Sequence, residues 1–131
     1  MATRADIDAA LLTRCSTLHV GNPELPIAYP DVSFSPPAEG PWLEVSLLHN
    51  TAPAFSALAA GHLRQGILQI IVVARPGRGA LPTSRIVDQV LAHFPKALRI
   101  GPAKVTAEPS AGTAMTEADR TMVVCSIPWT A

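Results

Sequence analysis

The sequence predicts an α+β domain, with two helices packed on one face of a mostly antiparallel, mixed sheet. Three observations lead there. Apolar residues recur at three- and four-residue spacing near the start and again after residue 80. Alternating or continuous apolar runs lie between and after those segments, and thirteen prolines interrupt the chain elsewhere. At 131 residues the chain suffices for one hydrophobic core and falls short of two ordinary domains, so residues 1–131 read as a single domain.

Ile7, Ala10, Leu11, Cys15 and Leu18 place one apolar stripe on a helix from about Ala5 to Leu18. Thr3 is positioned to cap it, with Asp6 three residues on, near the positive end of the helix dipole. Gly21, Asn22 and Pro23 end the element. The stretch PIAYPDVSFSPPAEGP is extended, because its prolines prohibit a regular helix and argue against a central strand.

WLEVSLL alternates, with Leu43, Val45 and Leu47 on one face and Trp42, Glu44 and Ser46 on the other, as expected of a strand with one face partly open. HNTAPAFSALAAGHL, about fifteen small or polar positions, is longer than a hairpin needs and reads as a binding loop or a segment that orders on a partner. ILQIIVVA is apolar on both faces apart from Gln69, the mark of a central strand covered by helix. Pro82 to Phe94 supplies that helix, with Ile86, Val87, Val90, Leu91 and Phe94 as its buried stripe and Pro95 as its stop. His93, near the helix C-terminus, is expected to favour a proton there. ALRIG and KVTAEPS follow, then the small and polar AGTAMTEAD, then the closing strand TMVVCSIPW. The order is helix, two or three strands, helix, two strands.

Composition narrows the function classes. Ten basic and ten acidic side chains give a formal net charge of zero, so nothing global attracts nucleic acid. Charged residues make up 15%, sparse for a free monomer's surface, which suits a chain that buries much of itself against partners. Cys15 and Cys125 belong to no CxxC motif and sit in apolar patterns, as reduced, buried thiols do. Arg4, Asp6 and Asp8 at the start of the first helix leave no signal-peptide pattern, which implies cytoplasmic synthesis. The longest apolar run is far short of the roughly 20 residues that cross a bilayer, so no membrane association is expected.

Catalytic and cofactor motifs fail one by one. RPGRGALPTSR follows a strand and opens a helix, as a phosphate-binding loop does, yet it lacks the lysine and the GK[ST] that a P-loop requires. Pro82 stands where a GxGxxG fingerprint needs its third glycine. The turn is a plain β-to-α connection or, through Arg75 and Arg78, a partner contact. No two of His19, His49, His62 and His93 stand three or four apart, so no metal is expected. Ser46 and Ser126 lie within strands rather than on a nucleophile elbow, and the acids form no spaced pair. The expected protein is not an enzyme and carries no cofactor. Arg64, Arg75, Arg78 and Arg85 cluster in the middle of the chain without stacking aromatics between them, which favours a protein interface over nucleic-acid readout. Trp42 and Trp129, each beside a proline, read equally as interface anchors or as the edge of the core.

The segments IDAALLTRC, PIAYPDVSF, PWLEVSLLHN, RQGILQIIVVARPGRG, RIVDQVLAHFP and VVCSIPW, in this order and spacing, resemble the tail terminator family of tailed phages and prophages, the lambda-type group of minor tail proteins. The resemblance spans nearly the whole chain. It implies an α+β fold and a homo-oligomeric ring, usually a hexamer, in the virion tail. Such a ring sits on the head-proximal end of the tail tube, stops tube polymerisation, presents a surface to head completion proteins, and lets DNA pass through its channel without sequence-specific binding. Carried onto this chain, it makes Arg64, Arg75, Arg78, Trp42, His49 and His62 candidate subunit or partner contacts. The loop His49 to His62 and the segment Gly112 to Asp119 are candidates for ring or tube contacts. Two other readings stand beside it: another head-tail connector or neck adaptor, also a ring former, and a small enzyme or nucleotide-binding protein.

Overall fold

The computed structural model describes residues 3–21, 24–50 and 64–131. Helix α1 spans Arg4–Ser16 and opens with the predicted cap. The Asp6 backbone N–H donates to Thr3 Oγ1 at 3.1 Å while the Thr3 N–H donates to Asp6 Oδ2 at 3.0 Å, a reciprocal capping box that satisfies two N-terminal donors. These bonds hold the Asp6 carboxyl below its ordinary range.

Strands β1 (Ile27–Ala28), β2 (Trp42–Asn50) and β3 (Gln65–Ala74) precede helix α2 (Ala80–Ala92). After it come β4 (Arg99–Ile100), β5 (Ala103–Val105), β6 (Ser110–Ala111), β7 (Met115–Thr116) and β8 (Thr121–Thr130). The sheet order is β1-β2-β3-β8-β5-β4, with β6 and β7 also pairing with β8. Every pairing is antiparallel except β1 with β2.

One detail refines the reading of the sequence and a second corrects it. The proline-rich stretch after residue 25 contributes β1 at the sheet edge, where Pro26 needs no N–H and its carbonyl accepts from Leu43 N at 3.0 Å. The region after α2 holds five strands rather than two, because KVTAEPS and AGTAMTEAD lay three short segments one after another along β8. Two- and three-residue strands carry too few side chains to show a period of two, which is why alternation did not reveal them.

The long strands fix the two faces. Leu43, Val72 and Val123 align across β2, β3 and β8, as do Trp42, Val73 and Met122 one residue on. The first row and its even-spaced partners Val45, Leu68, Ile70, Cys125, Ile127 and Trp129 are buried with Ile7, Leu11 and Cys15 of α1 and Val87 and Val90 of α2, together with Phe94 just beyond that helix. Both helices pack on this face. Burial of one such aliphatic side chain stabilises by about 1.5–3 kcal/mol, so this face supplies most of the driving force. Pro128 is tolerated inside β8 because its backbone faces β5: its carbonyl accepts from Thr106 N at 3.0 Å, so the missing N–H costs no bond to β3.

The other face carries the rows Glu44–Ile71–Val124, Ser46–Gln69–Ser126 and Leu48–Ile67–Pro128. Its residues are half-buried, and Leu48 is 43% exposed. This is the central apolar strand covered on one side that the continuous run in β3 predicts.

Candidate partner-contact surface

One end of the molecule gathers the arginines. β3 ends at Ala74, Gly77 and Gly79 turn the chain with φ of +82° and +83°, and α2 begins at Ala80. A side chain at either glycine would be strained, which explains the two glycines without any phosphate to cradle. The turn connects strand to helix without a phosphate loop, and it brings Arg75 and Arg78 to the lining of a recess.

Arg75 folds back over the sheet. Its guanidinium lies 4.9 Å from the Trp42 ring and Arg120 lies 5.4 Å from it, so one indole faces two cations. Arg75 Nη2 also donates to the Pro37 carbonyl, which ties the proline-rich strap to the end of β3. Trp42 Nε1 donates to Glu44 Oε2 at 2.9 Å, and Arg120 stands 4.0 Å from the same carboxylate. Trp42 is fully enclosed by this chain, and Trp129 is 1% exposed. Both tryptophans therefore occupy the core edge, and what this end presents outward is arginine.

The far end of β2 is organised differently. His49 stands on the helix-bearing face and its Nε2 lies 2.8 Å from Asp8 Oδ1 of α1, while Arg4 is 3.9 Å from the same carboxylate. The His49 ring meets Trp129 edge-on at 5.4 Å. His49 thus fastens the strand end to α1. Arg64 is exposed beside it, and its backbone exchanges two hydrogen bonds with Ala131, at 3.1 and 2.8 Å, which pins the chain end to the start of β3. His62 and most of the loop His49 to His62 lie outside the described residues. The segment Gly112 to Asp119 is exposed throughout.

A third cluster joins the C-termini of the two helices. Arg14 Nη2 and Nε donate to the His93 carbonyl at 2.7 and 3.2 Å. Thr17 Oγ1 spends its proton on the Arg14 carbonyl at 2.7 Å, so it accepts from His93 Nε2 at 2.8 Å, and the same N–H reaches the Arg14 carbonyl at 3.2 Å. The expectation that His93 favours a proton is overturned: burial first, and the Arg14 cation second, push its pKa below the ordinary value. The Arg14 guanidinium already supplies positive charge at the carbonyl that ends α2, which leaves a protonated His93 facing a cation.

The remaining chemistry is inert. Cys15 and Cys125 are buried free thiols, pushed up by burial to about 12 and about 11, so neither is a nucleophile at neutral pH. Among the described residues no three His, Cys, Asp or Glu side chains are grouped to hold a metal. No described helix is long and apolar enough to cross a membrane. Sequence reasoning brought Arg75 and Arg78 together but missed Arg120 and Glu44, which join Arg75 around Trp42 only through the β2-β3-β8 register, and Thr83, which lies five residues on in the start of α2. Arg120 directly before an apolar strand was the available signal.

The described helices thus lie on one face of the sheet, three arginines gather at one end of it, and both thiols are buried. The family model for phage tail terminator protein matches residues 6–129, and the chain belongs to that family. It is a structural protein of the phage tail. A protein of solved structure shares the fold with a TM-score of 0.80 at 24% identity, over 99% of this chain and 96% of that one. No curated protein matches the sequence.

Proposed function

We propose that this protein assembles into a closed ring, six subunits as the family resemblance implies, on the head-proximal end of the tail tube. There it ends tube polymerisation and offers the surface on which head completion proteins join the tail. The observation that carries this reading is the family match over residues 6–129. The second sheet face supports it, because a row of Leu48, Ile67 and Pro128 left half-buried is the kind of surface that assembly covers.

A cyclic ring uses two different patches per subunit, and closure caps a tube without starting another layer. In this reading the exposed Arg64 and Arg78, and Arg75 half-buried over Trp42, act as subunit or partner contacts. Trp42 and His49 act through position, Trp42 by holding Arg75 and Arg120, His49 by setting the root of the loop that includes His62. DNA passes through the ring's channel as a polyanion and is not read by sequence. The protein is made in the host cytoplasm and works in the virion tail.

The test is tube growth in vitro. Tube protein polymerised with this protein present is expected to give shorter tubes of narrower length distribution, with labelled protein at one end only in electron micrographs. Unchanged lengths with no end-bound label would overturn the proposal. Label at one end of already finished tubes, with no effect on growth, would point instead to a neck adaptor.

A further inference from the structure

We infer that the recess between the start of α2 and β7–β8 is an oxyanion-binding site that takes an acidic side chain of a protein partner. The recess has a volume of about 280 Å³, and Arg75, Arg78, Thr83, Thr116, Thr121 and Val123 are among the residues lining it. No carboxylate lines it.

Three features converge there. Helix α2 has glycine at its N-cap, no side-chain cap and no acidic residue in its first turn, so its positive end is left uncompensated. The N–H groups of Ala80 and Leu81 have no intrahelical acceptor, and Pro82 has no N–H to offer. Thr83 is 7% exposed, the one buried polar side chain among the described residues, and its hydroxyl makes no hydrogen bond among them. An acceptor entering the recess would pair the free N–H groups of the helix end and the Thr83 hydroxyl.

The walls favour a carboxylate over a free phosphate. Phosphate seeks donors on most of its oxygens, whereas one wall here is Val123 and Leu81 stands 59% exposed in the first turn of α2. A glutamate or aspartate lays its methylenes on such a wall and turns its two oxygens to Arg78 and the helix end. The size fits one side chain and is small for a nucleotide. This inference rests on reading Arg75 and Arg78 as partner contacts and is independent of ring closure.

The test follows backbone amide resonances of the protein during titration with the capped peptide acetyl-Gly-Glu-Gly-amide, its Gln analogue, inorganic phosphate and a short DNA duplex, all at one ionic strength. The Glu peptide is expected to shift Gly79, Ala80 and Leu81 with millimolar affinity, about tenfold weaker in Arg78→Gln and also weaker in Thr83→Val, while the Gln peptide shifts nothing. Absence of shifts with the Glu peptide, or shifts unchanged in both variants, would overturn the site. Saturation by phosphate or duplex at concentrations where the Glu peptide is silent would overturn the assignment to a protein carboxylate. Because the titration reads a single subunit, its failure leaves the outcome of tube-growth and ring measurements untouched.

Discussion

Arg14 and His93 each bond the other's last-turn carbonyl region: Arg14 Nη2 donates to the His93 carbonyl at 2.7 Å, and His93 Nε2 donates back to the Arg14 carbonyl at 3.2 Å. The two helices touch the sheet through separate residues, and this pair joins them directly at their C-terminal ends. Loss of the guanidinium leaves the carbonyl at the end of α2 without its charged donor. Arg14→Met, which keeps most of the aliphatic stem over Phe94, is expected to destabilise by about 1.5–3 kcal/mol in urea unfolding.

His93 makes stability pH-dependent. Its folded pKa is lowered, so the unfolded chain binds the proton more readily and folding weakens as protons are added. The stability from neutral His93 is complete above the unfolded value near 6.5, declines as pH falls from there through the folded pKa, and is constant below it. The urea midpoint is therefore expected to drop as pH falls below about 6.5. In His93→Gln that drop should be visibly smaller; an equal slope would assign the pH dependence to other groups.

Gly66 sits where the sheet has no room for a side chain. A Cβ there would run into the Leu48 carbonyl and stand 2.7 Å from Trp129 Cζ2. Backbone on one side and a buried indole on the other leave no room to relax. Gly66→Ala is expected to cost about 3 kcal/mol or more, read as a lowered urea midpoint.

Trp42 and its two arginines separate packing from charge. Trp42→Ala removes a fully enclosed indole and is expected to cost about 3–5 kcal/mol. Arg120→Ala removes a half-exposed cation and a 4.0 Å ion pair, worth about 1 kcal/mol or less. A double-mutant cycle between them should show coupling, since the cation–π contact needs both partners.

The sequence shows these relationships unevenly. Thr3 with Asp6, the stripe Ile7–Leu11–Cys15, and the apolar run from Ile67 to Ala74 are local patterns, and each produced the element it predicted. Strand register is not local. Nothing near Trp42 says that Val73 and Met122 will lie beside it, so the Arg75–Trp42–Arg120 stack was invisible until β2, β3 and β8 were aligned, and the recess was invisible until α2 was laid beside Thr121 and Val123 of β8. β6 and β7 were hidden because two residues carry no period, and His93 was misjudged because its cover comes from Arg14, far away in sequence. Arg75 and Arg78 could be singled out because a glycine turn after a strand is itself a local signal.

The central claim is that this tail protein works as a closed ring, and its mass in solution tests that most directly. Sedimentation velocity over a range of concentrations, alone and with tail tube protein, with images of any large species, is expected to give one discrete ring, a hexamer, without larger open polymers. A monomer at every concentration, with tube protein present as well as absent, would contradict the account.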